Sequence, residues 1–173
     1  MLLAVKPMDD PLKELLAVDE RRALEFFFVG LRDVSERAVD RQELLYNASV
    51  LAHYAQVSTT SDTQWPAPAT LSAVFDHFVW SSVLHNDGPA MEIAGAQCLL
   101  LAGFFEDQLR DRFNIGWYAS LGAGFLRRAA AHESSLRKAQ LLDSVSMGCE
   151  QWRQRYARLS RELRERPYLI PRG

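Results

Sequence analysis

Residues 90–105 (AMEIAGAQCLLLAGFF) form a nearly uncharged run, interrupted only by Glu92 and Gln97, and a second uncharged stretch, IGWYASLGAGFL, follows at 115–126. A helix that is apolar on every side must be surrounded on every side, by protein or by lipid. The first run falls short of the roughly 20 residues needed to cross a bilayer. A membrane hairpin built from both runs would place the charged connector FEDQLRDR at its tip. Burial within protein is therefore the expectation. The fold class that follows is all-α: a single-domain bundle of about six helices around two central helices that are apolar and rich in small residues.

The remaining composition fits that reading. At 173 residues, about half of them apolar and a quarter charged, the chain can bury a substantial core. A net charge of −2 gives no global field toward nucleic acid or an acidic membrane. That total hides a split: residues 150–173 hold seven arginines against three glutamates, while residues 1–149 are net acidic. Such a tail is either a basic arm for an acidic surface or a solvated amphipathic helix, and the second is the simpler reading. Cys98 and Cys149 have no CxxC pairing, and the N-terminus lacks a signal-peptide pattern, so a cytoplasmic protein is expected.

Along the chain, Pro7 and Pro11 suggest an extended arm over 1–19 with a short helical turn near PLKELL, ahead of a helical domain at 20–166 and an extended tail at 167–173. Asp19 and Asp40 are candidate caps for helices over 20–34 and 41–57, because an Asp carboxylate accepts from first-turn amides. The segment 58–70 reads as a loop carrying Trp65, either a lid or a recognition residue. Thr70 is placed to cap a helix over 71–85, and Asn114 one over 115–131. In the latter, small side chains at Gly116, Ala119, Ser120 and Ala123 would let a neighbouring backbone approach closely, and this face is expected to lie against the 90–103 helix. Leu142, Val145, Cys149, Trp152, Tyr156, Leu159 and Leu163 repeat at steps of three and four, the pattern of a helix seam. The register passes through Gly148 without a slip, predicting one long helix from about 133 to 165.

Chemistry is sparsely signalled. No HExxH, Cys/His knuckle, nucleophile elbow or phosphate loop occurs. His77 and His85 would lie ~12 Å apart along a helix axis, too far to share an ion. A metal site from His85, Asp87 and Glu92, with His77 nearby, is geometrically conceivable, but no metal or other cofactor is expected. A partly buried, hydrogen-bonded state is the default for a histidine here. Glu92 has a simpler reading as a first-turn carboxylate favoured by the helix dipole. Nucleic acid could meet Arg155, Arg158 and Arg161, yet Glu162 and Glu165 dilute that patch, and neither nucleic acid nor membrane is the expected partner.

The string Gly95-Ala96-Gln97-Cys98-Leu99-Leu100-Leu101-Ala102-Gly103-Phe104-Phe105-Glu106, followed by Trp117-Tyr118 and Leu121-Gly122, resembles an uncharacterised family of bacterial helical proteins. Their pattern is a Leu/Phe-rich helix ending in Gly-Phe-Phe-Pro-Glu, then a Tyr-Tyr-x-x-x-Gly helix. This chain has Ala96 where an acidic residue is common there, and no proline before Glu106. The resemblance implies a shared helical fold and no established activity.

The expected function is a non-catalytic protein–protein interaction or scaffold role, including self-association as a homodimer. The candidate contact residues are Trp152, Tyr156, Leu159, Leu163, Arg155 and Arg158, with Trp65 in the loop. Two alternatives stand beside it. One is a small-molecule- or metal-binding protein or enzyme with a pocket near His77, His85 and Glu92; the other is nucleic-acid binding through the Arg-rich helix.

Overall fold

The two uncharged segments lie at the centre of the computed structural model, which describes residues 6–36, 38–60 and 88–165. The elements are α1 (Lys6–Val34), α2 (Arg41–Thr60), α3 (Gly88–Gly103), a single turn α4 (Glu106–Leu109), α5 (Ile115–His132), α6 (Leu136–Met147) and α7 (Cys149–Glu165). The most extensive packing is between α3 and α5, the two uncharged helices. Met91, Ala94, Cys98, Leu101 and Ala102 of α3 and Leu126 of α5 are fully shielded from solvent.

Glycine makes that contact possible, at Gly122 rather than across the whole expected small-residue face, of which Gly116 and Ser120 are exposed. A Cβ at Gly95 would stand 2.7 Å from Leu126 Cγ and 3.1 Å from the carbonyl oxygen of Gly122. A Cβ at Gly122 would stand 2.8 Å from Cys98 Cβ and 3.3 Å from the Gly95 carbonyl oxygen. Carbon atoms in contact prefer ~3.5–4.0 Å, so neither helix can carry a side chain at the crossing. The other end of α3 repeats the device against α7: a Cβ at Gly103 would fall 2.9 Å from the Arg153 carbonyl oxygen.

The outer helices close around this pair. Asp40 caps α2, its Oδ2 accepting from the amides of Gln42 and Glu43 at 3.0 Å each, and Leu44, Ala48 and Leu51 face the core. Asn114 caps α5 by accepting from the Trp117 amide at 3.1 Å. Asn47 is fully buried and satisfied: its Nδ2 donates to the Glu43 carbonyl at 2.8 Å, and its Oδ1 accepts from the Tyr156 hydroxyl at 2.6 Å. Leu101 and Leu109 form a small satellite core with Phe113, Ile115 and Tyr118.

The architecture is a single all-α domain, with no strand and seven helices among the described residues. Three details differ from the sequence reading. The α1 backbone is helical from Lys6 through Asp19, where an extended arm and a cap were expected. Pro7 falls in the first turn, where its missing N–H costs no bond, and the glycine-free stretch KELLAVDERRALEFF favours helix. The expected 133–165 helix is two helices, broken at Gly148, whose backbone takes φ −93°, ψ 16°. The buried seam stays in phase across the break, so α6 can follow α5 while α7 turns to cover α3 and α1. That break and the α4 turn each add a helix, so that seven stand among the described residues without the expected 71–85 helix. The expected 71–85 helix and most of the 58–70 loop lie outside the described residues; 58–60 belong to α2.

Two substitutions separate the glycines that enable contact from the one that ends a helix. Gly95→Ala should lower the urea-unfolding free energy by about 1–3 kcal/mol, the cost of overpacking a filled interface. At Gly148 a Cβ meets nothing closer than 3.5 Å and φ is negative, so Gly148→Ala should raise stability by about 0.4–1 kcal/mol. Tyr156→Phe should cost about 1–3 kcal/mol, because Asn47 Oδ1 loses a donor it cannot replace from water.

Candidate functional site

Helices α2 and α3 leave a groove between them. From α2 come Tyr46, Ser49, Val50, His53 and Tyr54; from α3 come Pro89, Glu92, Ile93, Ala96, Gln97 and Leu100. Each set follows the helical three- and four-residue spacing, so each is one face of its helix. The cavity measures about 470 Å³, and its walls are mostly apolar. Ile93 is 56% exposed although it is a large aliphatic side chain within the most apolar helix of the fold.

Glu92 is the acidic residue of this lining, and tertiary contacts hold it. Its Oε1 accepts from the Tyr46 hydroxyl at 3.1 Å, and its Oε2 meets Lys138 Nζ at 3.0 Å. Lys138, from the first turn of α6, also lies 3.8 Å from Glu133. Burial, reinforced by the Glu92 carboxylate, pushes the Tyr46 phenol well above its ordinary range, so it acts as a neutral donor. The hydrogen bond to Glu92 raises the Lys138 ammonium above its usual value, which keeps it charged. The dipole account of Glu92 is thereby corrected: α3 starts at Gly88, its first turn holds no acid, and a phenol and an ammonium fix the carboxylate instead. Ser49 turns its hydroxyl back to the Tyr46 carbonyl at 2.6 Å, and His53 is exposed rather than partly buried.

The residues singled out from sequence scatter. Of the four weak metal candidates, Glu92 is in the groove, while His77, His85 and Asp87 lie outside the described residues, as does Trp65. Among the described residues, no group of three or more His, Cys, Asp or Glu could hold a metal ion. Trp152, Tyr156 and Leu159 are buried within the chain itself, and Leu163 is half-buried. Trp152 donates its indole N–H to Glu43 at 3.2 Å, and Arg155 stacks over the same ring, 4.6 Å from its centroid. Arg158 donates to the Val34 carbonyl and to Glu36. The buried residues of the seam therefore pack inside the chain itself.

The other arginines of α7 are also engaged. Arg153 reaches Glu106 at 2.8 Å and Glu150 at 2.6 Å, Arg161 reaches Glu106 at 2.9 Å and Asp107 at 3.1 Å, and Arg164 reaches Asp107 at 2.5 Å. This clasp ties the α4 turn to α7. It also shows that Arg153, Arg161 and Arg164 meet acids of the same chain. Cys98 and Cys149 are buried free thiols. Burial pushes Cys98 up to about 12 and Cys149 up to about 11, so neither supplies a thiolate nucleophile near neutrality.

Tyr46 and His53 were not picked out from the sequence. The signal was the spacing Tyr46, Ser49, Val50, His53, a face mixing polar and apolar groups. Ala96, the position that departs from the resembled pattern, also lines the groove. Comparison with protein-family models, with curated proteins and with solved structures found no match for this chain.

The clasp carries a pH dependence. Hydrogen bonds from Arg161 and Arg164 hold the Asp107 carboxyl at about 2, below its ordinary 3.8. A depressed folded value means that its contribution is whole above about pH 4 and disappears as the pH falls through 2. Asp107→Asn should therefore reduce stability at pH 7 and flatten the loss between pH 4 and 2, read as unfolding midpoints across that range.

Proposed function

We propose that this chain is a small-molecule-binding protein that holds its ligand in the groove between α2 and α3. The carrying observation is the groove itself: about 470 Å³ of space between two helices, apolar in its walls, with a few fixed polar groups. Sites for small ligands have that character, with volumes of roughly 300–1,000 Å³ and a preference for the space between helices of a bundle. Glu92 and Tyr46 fix polarity at one end, and Val50, Ile93 and Leu100 offer apolar surface along the rest.

The other readings draw less support. A partner or a second copy meeting the seam would have to reach Trp152, Tyr156 and Leu159 through the protein's own packing. A phosphate backbone would have to compete with Glu36, Glu106, Asp107 and Glu150 for the α7 guanidinium groups. No helix among the described residues is long and apolar enough to cross a membrane. Two buried free thiols suit a reducing compartment, and we place the protein in the cytoplasm on that ground.

A thermal-shift screen with a chemically diverse ligand set, run on the wild type and on Ala96→Trp, tests this reading. A ligand at a hundred times its Kd stabilises the fold by about 2.7 kcal/mol, a shift of several degrees for a domain of this size. Such shifts should appear in the wild type and vanish when indole fills the groove. Shifts that persist in Ala96→Trp, or a set that produces none, would contradict it.

A further inference from the structure

Resting on the groove reading above, we infer that the ligand is a primary amine on an apolar body, its ammonium seated on Glu92. The carboxylate is the one formal negative charge in the lining, and no Lys or Arg stands among those residues. An ionised carboxylate offers about four acceptor positions. Tyr46 takes one on Oε1 and Lys138 one on Oε2, and the Glu92 side chain remains 21% accessible. Room is left for a further donor.

The neighbouring charges permit the exchange. Lys138 is 45% exposed and already lies between two carboxylates, Glu92 at 3.0 Å and Glu133 at 3.8 Å. When a ligand ammonium takes up Glu92, Lys138 can shift toward Glu133 and keep a counter-charge. A carboxylate ligand would meet Glu92 as a like charge, offset in part by Lys138 at 3.0 Å, and would find no Lys or Arg in the lining itself. A neutral ligand would gain the apolar walls and forgo the charge-assisted bond, roughly twice as strong as a neutral one.

The apolar body has a length. Glu92 and Leu100 lie eight residues apart on α3, which is ~12 Å along the helix axis. Between them, Ile93 and Ala96 offer aliphatic surface, and exposed Ile93 gains most from being covered. A linear alkylamine of medium length matches that span.

Titration calorimetry of the full chain at pH 7 with octylamine, octanol and octanoate, on wild type, Glu92→Gln and Ala96→Trp, tests the inference. Gln keeps an acceptor for Tyr46, and each variant's folding is checked by circular dichroism. Octylamine should bind wild type about tenfold more tightly than octanol, as one charge-assisted bond implies. Octanoate should bind most weakly. The amine preference should disappear in Glu92→Gln while octanol affinity is unchanged, and Ala96→Trp should bind none of the three. If octanol or octanoate binds as tightly as octylamine and Ala96→Trp abolishes both, the ammonium assignment is overturned and the groove stands. If none of the probes binds wild type, or Ala96→Trp binds them all undiminished, both readings fall.

Discussion

The approach of α3 to α5 at Gly95 and Gly122 sets the rest of the molecule. A methyl group at either glycine would run into the other helix, at 2.7 Å from Leu126 Cγ for Gly95 and 2.8 Å from Cys98 Cβ for Gly122. Two helices this close shield each other's inner faces, which is how a segment with scarcely a charged residue is kept from water. Once that face of α3 is committed, α7 covers a second, around Gly103. Among the described residues, what remains open is the strip carrying Pro89, Ile93, Ala96 and Gln97. The groove is the consequence: the side of α3 that its packing partners do not reach.

This explains why both polar interruptions of the uncharged run, Glu92 and Gln97, point the same way. Neither could be buried against α5 without an unsatisfied group, a cost of a few kcal/mol in an apolar interior. Both fall on the strip that α2 borders with Tyr46, Ser49 and His53. Buried polar groups elsewhere obey the same rule through partners on distant helices, as Asn47 does with Tyr156 and Trp152 does with Glu43. The described residues leave no buried side-chain nitrogen or oxygen without a partner.

Local features were legible in the sequence. The central pair followed from the absence of charge, the caps at Asp40 and Asn114 from residue type ahead of an apolar pattern, and the seam from its spacing. Features that depend on distant partners were not. Glu92 looks like a dipole-favoured carboxylate until Tyr46 and Lys138, far away in sequence, arrive beside it. The α7 arginines read as the charged face of a solvated amphipathic helix until Glu106 and Asp107 meet them across the fold. The Gly148 break was hidden for a different reason: a one-residue turn that preserves the phase of the seam leaves no trace in its periodicity. The groove lay between two individually ordinary faces, and only their juxtaposition makes it a site.

Amide hydrogen exchange resolved by residue tests the central crossing most directly. If α3 and α5 form the shielded centre, the amides of residues 94–102 and 119–129 exchange only through global unfolding, with protection matching the denaturant-derived stability. Faster exchange there than in α1 or α6, through local opening, would contradict the account.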